Sequence, residues 1–324
     1  MSWVGRLAVA ALVWGALASG VVAQSASPLP PGNITLLVAF PPGGPLDVVA
    51  RIFADKVGAR TGRAVIVENR PGAAGNVGAG ALVRAEPNGL TWMASVDSLW
   101  TVNPHLGAAP NFDVDKDIAV VGQMGQVILM LAVHPKVEAK NWAELLALSN
   151  RRSLNFGSAG IGSPGHLALE YLKMVAPLDA AHVPFRGAAP ALTELLAGNI
   201  DGAFIVAGVM LDHVQLGKVR ALAVSDTARL AKFPDVPTSN EAGIGDFVAR
   251  FTNILAVPGK TPEPIRAFVT GEISAVLGME DVKKRFDAIG TEMLATGEAE
   301  TRAWIVQERA RWGKVVKARG LKVP

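Results

Sequence analysis

Residues 34–51 read ITLLVAFPPGGPLDVVAR, and this stretch decides the fold class. The first seven, 34–40, form a continuous apolar run, the pattern of a strand buried on both faces. Pro41, Pro42, Gly43 and Gly44 break that run, since proline brings no N–H to a ladder and glycine admits a tight turn. Residues 47–60 then show helical spacing, with Val48, Ile52 and Val57 on one side. The unit repeats: AVIVE at 64–68 predicts a second strand, 75–86 a small-residue helix and 90–96 a third strand. Strand, glycine loop and helix in this alternation predict a parallel sheet with right-handed crossovers.

Further along, the same reading predicts strands at 127–133, 154–158, 182–185, 202–206 and 219–224, with helices at 142–148, 164–175 and 188–197. One more strand-like run, FTNILAV at 251–257, precedes helices near 262–277, 281–289 and 297–317. Two layouts satisfy this order. Either the chain forms one large sheet, or a middle domain is inserted into an outer one with two crossings between them. About 300 residues is long for one core and comfortable for two domains.

The first 23 residues carry one cation, Arg6, then an uncharged stretch rich in Leu, Ala, Val and Trp, closing on Val21-Val22-Ala23. That is the layout of a secretory signal peptide cleaved near Ala23, which predicts a periplasmic location for the exported protein. The chain has no Cys, so it carries neither a lipidation site, nor disulfides, nor a thiolate metal site. Formal net charge is +3, with acids and bases well mixed and no basic stripe, which makes nucleic acid a poor partner. The five His residues have no ligand-like spacing, so no metal and no cofactor are expected.

Two glycine loops stand between a strand and a helix: Phe40 to Asp47, and Ser158 to His166 (SAGIGSPGH). Such a loop aims backbone N–H groups at the mouth of the sheet, where the helix N-terminus adds partial positive charge. Ligands of open parallel sheets bind at the carboxyl ends of the strands. The candidate ligand-binding set is therefore Phe40, Gly43, Gly44 and Asp47 in the first loop, and Ser158, Gly160, Gly162, Ser163 and His166 in the second. Ser95, Ser98, Phe185, Arg186, Gly187 and Asp201 complete it. Asp47 is read chiefly as a brace for free N–H groups of its helix, with contact to a ligand amino group as the alternative. Ser163 is read as the cap of the helix that Pro164 opens.

Two enzyme readings compete with this set. Gly160-x-Gly162-x-x-Gly165 matches a dinucleotide fingerprint, but the acid expected about twenty residues on is missing. Ser163 and His166, three apart and with Asp47 or Asp201 to orient the His, could serve a secreted hydrolase, yet no Gly-x-Ser-x-Gly elbow surrounds either Ser158 or Ser163.

Six motifs in order carry a resemblance. They are FPPGGPLDVVAR at 40–51, VENRPGAAGNVGA at 67–79, SAGIGSPGHLALE at 158–170, VPFRGAAPALTELLAGNIDGAF at 183–204, GKVRALAVSDTAR at 217–229 and FPDVPTSNEAG at 233–243. With them the chain resembles the Bug-type periplasmic receptors, the solute-binding proteins of tripartite tricarboxylate transporters. The resemblance implies an α/β fold like the type II periplasmic-binding proteins, two α/β domains with a ligand cleft between them. Its implied division is 33–125 with 226–324 as one domain and 126–225 as the other. It also implies a monomer that binds a small organic carboxylate, is not an enzyme, and meets integral membrane transporter subunits transiently. A receptor reporting to a two-component sensor is the alternative. Relatives often carry Tyr before PPGG and Tyr-Lys-Gly in the fourth motif, where this chain has Phe40 and Phe185-Arg186-Gly187. Both hydroxyls are absent, which favours ligands with an apolar or aromatic body over citrate.

Overall fold

The computed structural model describes residues 28–107, 110–245 and 247–322, so the expected signal segment 1–23 lies outside the described residues. The opening stretch folds as read: β1 spans Ile34–Val38 and helix α1 spans Pro45–Thr61. The strands β2 (Val65–Asn69) and β3 (Thr91–Val96) lie parallel to β1 on either side of it. Helix α2 (Asn76–Val83) links them, and the short α3 (Ser98–Thr101) follows β3.

The element that organises the molecule is β4, Ile118–Val133, which is 16 residues long. Only its second half was expected from the sequence. The first half is interrupted by Gly122 and Gly125, where register shifts occur against the antiparallel β9 (Arg250–Pro258). A Cβ on Gly122 would lie 2.3 Å from the Thr296 carbonyl oxygen, so glycine is required where that segment crosses the strand. The second half of β4 pairs with β7 (Gly202–Val206) and with β8 (Arg220–Val224), both antiparallel. Parallel to β7 lie β5 (Leu154–Ser158) and then β6 (Ala180–Pro184). The strand order is β2-β1-β3-β9-β4-β7-β5-β6, with β8 beside β4. Thus neither expected layout is pure: two lobes share one continuous sheet through β4.

Helices α4 (Trp142–Ser149), α5 (Pro164–Val175), α6 (Ala188–Ala197) and the short α7 (Leu211–Gln215) belong to the second lobe. The chain ends with α8 (Glu263–Leu277), α9 (Glu280–Ala288) and α10 (Glu298–Arg319). Where the chain passes between lobes, buried Ser225 pins the two crossings together. Its Oγ lies 3.0 Å from both the Leu129 and the Ala249 carbonyl oxygens, which share its one O–H, and it accepts the Leu129 N–H at 3.2 Å. Helix α10 touches both lobes. Arg309 pairs with Asp115 on one side, while Arg319 bonds Glu170 of α5 at 2.9 Å on the other. Between those ends Trp312, fully buried, stacks on Phe251 and meets Tyr171 edge-on. Among the described residues no helix is long and apolar enough to cross a membrane.

Candidate functional site

The carboxyl ends of β1 and β3 in one lobe, and of β5 to β7 in the other, face a common cleft. The first loop is shaped by Asp47, which is 3 % exposed. Its carboxylate accepts the Gly43 N–H, Arg51 Nε and Asn69 Nδ2, each at 2.9 Å, and Asn69 also donates to the Phe40 carbonyl at 3.1 Å. Burial alone would raise the Asp47 pKa, but these three donors hold it below the ordinary carboxylate value. Asp47 is thus the brace of the loop. We expect Asp47→Ala to strand these donors and cost about 2–4 kcal/mol of stability. Urea unfolding checks this, and a loss within 0.5 kcal/mol, the size of an ordinary surface change, would contradict it.

The second loop is braced from beneath by two stacked imidazoles. His166 and His182 lie with ring centroids 4.0 Å apart. His166 Nδ1 accepts the Gly162 N–H at 3.0 Å, and His182 Nε2 lies 2.6 Å from Ser158 Oγ. Burial lowers the pKa of both rings, and for His182 the neighbouring His166 helps bring it to about 4. Both rings are therefore neutral at pH 7, as the acceptor role of His166 requires.

Three helix N-termini open onto the cleft: Gly44, Pro45 and Leu46 at α1, Pro164 and Gly165 at α5, and Ala188 to Ala191 at α6. The cleft spans about 840 Å³ when its solvent-filled mouth is counted, so it is an open groove and not a closed cavity. Among the described residues the backbone N–H groups of Ala159 and Gly187 have no hydrogen-bond acceptor. Among the described residues Arg186 is the one cation on the lining, exposed and without an ion pair, and no carboxylate joins it there. The remaining wall is apolar, including Phe40, Val96, Val127, Leu129 and Phe204. Positive potential without acids, beside apolar walls, suits an organic anion. Among the described residues no group of three His, Asp or Glu could hold a metal.

The model of the tripartite tricarboxylate transporter family receptor matches residues 49–321. The chain belongs to that family. It is 32 % identical over 310 residues to protein BugT of Bordetella pertussis, covering 94 % of this chain and 95 % of that one. Among solved structures it is similar to Rpa4515 of R. palustris with adipate, with a TM-score of 0.85 at 26 % identity, covering 90 % of this chain and 99 % of the other. MatC from Rhodopseudomonas palustris with bound malate has a TM-score of 0.83 at 28 % identity, covering 89 % and 100 %. Members of the family are periplasmic solute-binding receptors and not enzymes, so the mixed α/β, two-lobed fold is that of a receptor.

Geometry sorts the sequence candidates of this receptor. Phe40, Gly44, Ser158, Arg186 and Gly187 line the cleft. Gly43, Gly160, Gly162 and His166 shape its loops instead, with the Gly43 and Gly162 N–H groups turned inward to Asp47 and His166. Ser163 stands at the N-terminus of α5, but its Oγ makes neither the expected capping bond nor any other. Among the described residues Ser163 Oγ has no hydrogen-bond partner, His166 included, so the hydrolase pair is not assembled. Ser95 and Ser98 are fully buried and off the lining; Ser95 Oγ makes only a long bond of 3.4 Å to the Val96 carbonyl.

Two candidates need correction. Asp201 precedes β7, at the far end of the sheet from the loops, where it pairs with both Arg152 nitrogens at 2.7 and 3.0 Å and accepts the Asn155 N–H. Phe185 is not on the lining; its ring packs over Gly157, where an added Cβ would meet it at 3.2 Å. Only Phe40 of the two rings therefore faces the cleft.

Sequence reading missed Asn253 of β9. It lines the cleft, is 1 % exposed, and neither side-chain atom has a partner. Its signal was present: one amide within the otherwise apolar run of FTNILAV. Ala74, in the motif at 67–79, was missed as well. Ala73 and Ala74 hold left-handed φ of 45° and 53°, and Asn103 Nδ2 donates to the Ala74 carbonyl at 3.0 Å. That strained turn faces Gly162 across the cleft.

Proposed function

We propose that this receptor captures a small mono- or dicarboxylate with an apolar or aromatic body and delivers it to integral membrane transporter subunits. The observation that carries the reading is the convergence of three helix N-termini and unpaired Arg186 on an apolar cleft without acids. Carboxylate oxygens would take the N–H groups of Ala159 and Gly187, and the body of the ligand would lie on Phe40, Val127 and Leu129. The lobes, 33–125 with 226–324 and 126–225, would close on it by rotation about the crossings that Ser225 joins. The reading includes export to the periplasm after cleavage near Ala23, and action as a monomer.

A tricarboxylate fits less well, since each buried charge needs donors and a single cation lines this cleft. Thermal shift against benzoate-like, adipate-like and aspartate-like acids and citrate tests the proposal. A tight ligand at about 100 times its Kd adds about 2.7 kcal/mol of stability, and citrate should add much less. The largest shift from citrate would overturn the preference, and no shift from any acid would overturn the carboxylate reading itself.

A further inference from the structure

The amide of Asn253 is buried at the middle of β9, opposite Val96 of β3, and shares the cleft wall with Val96, Val127 and Leu129. Among the described residues neither Nδ2 nor Oδ1 has a hydrogen-bond partner. A buried amide left unpaired is destabilising, and an apolar residue of similar size, such as leucine, would remove that cost. Its presence on the wall of a ligand cleft indicates that the ligand completes its hydrogen bonds.

The amide presents both a donor and an acceptor, and the group that satisfies it must offer the converse pair. A carboxylate accepts only. It could take the Nδ2 hydrogens, but it would set its charge against the Oδ1 lone pairs. Beside Asn253 there are valine and leucine and no cation, while Arg186 and the helix N-termini belong to the loops. Ionised oxygen there would be buried without compensation. A hydroxyl or carboxamide meets both atoms of Asn253 without bringing a charge.

Resting on the reading of the cleft as a carboxylate site, we propose that Asn253 determines specificity. The preferred ligand is then a monocarboxylate whose far end carries a neutral hydroxyl or amide, in place of a second carboxylate. The loops hold the anionic end, the apolar walls hold the body, and Asn253 reads the neutral end.

Isothermal titration with matched acids of four, six and eight carbons tests this. Each length is offered as the plain acid, the ω-hydroxy acid, the ω-amide and the diacid. At the length that fits, the hydroxy acid or the amide should bind at least about tenfold tighter than the diacid, the scale of one well-made buried hydrogen bond. Asn253→Leu should remove that advantage, bringing the hydroxy acid and the amide to within about threefold of the plain acid of the same length. The same substitution should raise the Tm of the ligand-free protein by about 2–4 °C, because it removes two unpaired buried atoms. A residue that only supports the fold would lower it. Asn253→Ser, which keeps a hydroxyl, should retain part of the preference and guards against a folding defect in the leucine variant. Tightest binding of the diacid by the native protein, or equal weakening of every acid by Asn253→Leu, overturns the assignment of Asn253 alone. Failure of every acid to bind overturns the carboxylate reading and this assignment together.

Discussion

Replacing Gly162 by Val is expected to weaken ligand capture by at least about 100-fold while leaving a folded protein. Gly162 has φ of +76°, where an L-residue is strained by about 1–2 kcal/mol. A Cβ there would also stand 2.7 Å from the Cβ of Ala74, on the opposite lobe. Ala74 cannot step back easily, since its turn is already strained and Asn103 holds its carbonyl. The larger side chain therefore props the lobes apart and pulls the Gly162 N–H away from His166. Gly217→Val is the control. It has φ of +65° with nothing within 4 Å of an added Cβ, so it shares the backbone strain without the contact. Gly43→Val, with open space around its Cβ, should fall between the two. Titration of the tightest acid against all three variants separates strain from collision. Equal affinities for the Gly162 and Gly217 variants would remove the cross-cleft contact from the mechanism.

Asp97 is expected to stabilise the native protein by about 2–3 kcal/mol more at pH 5 than at pH 8, read as the difference between the native protein and Asp97→Asn. Asp97 lies at the end of β3 and is fully buried. Burial, with a smaller contribution from nearby Glu308, raises its pKa from 3.8 to about 7, although Trp304 of α10 donates to Oδ2 at 2.7 Å. The folded state therefore holds a proton that the unfolded state releases. Stability from this group is complete below pH 3.8, declines as pH rises, and levels off above about 7. His166 and His182, kept neutral by burial, oppose Asp97 within this window because only the unfolded rings take up protons at pH 5, and comparison with Asp97→Asn removes their contribution. Asp47, Glu170 and Asp201 also act in the opposite direction. Their pKa values are lowered, so their contribution is present at pH 5 and above and is lost only in stronger acid. Urea unfolding at pH 5 and pH 8 measures the difference. A native-minus-variant difference that is the same at both values would show that Asp97 is ionised when folded, without penalty.

Much of this receptor was determined by sequence alone, because the forces involved act over short separations. The apolar run at 34–40, the proline–glycine break and the helical spacing after it are local, and β1 and α1 form where they point. The family was equally legible, since six ordered motifs need no knowledge of contacts. Tertiary structure decided what depends on neighbours distant in the chain. The first half of β4 is a strand because Gly122 and Gly125 let the segment at 291–296 cross it, and periodicity reads those glycines as breaks. Gly43 and Gly162 looked like anion donors, yet their N–H groups are taken by Asp47 and His166. Asp201 lies one residue before a strand whose opposite end faces the cleft, and no local pattern says which end that is. Asn253 is the reverse case. Its neighbours in sequence identify a buried strand, but only the packing of β9 between β3 and β4 leaves its amide unpaired on the cleft wall. Hydrogen-bond satisfaction is a sum over spatial neighbours, and the sequence gives no direct access to that sum.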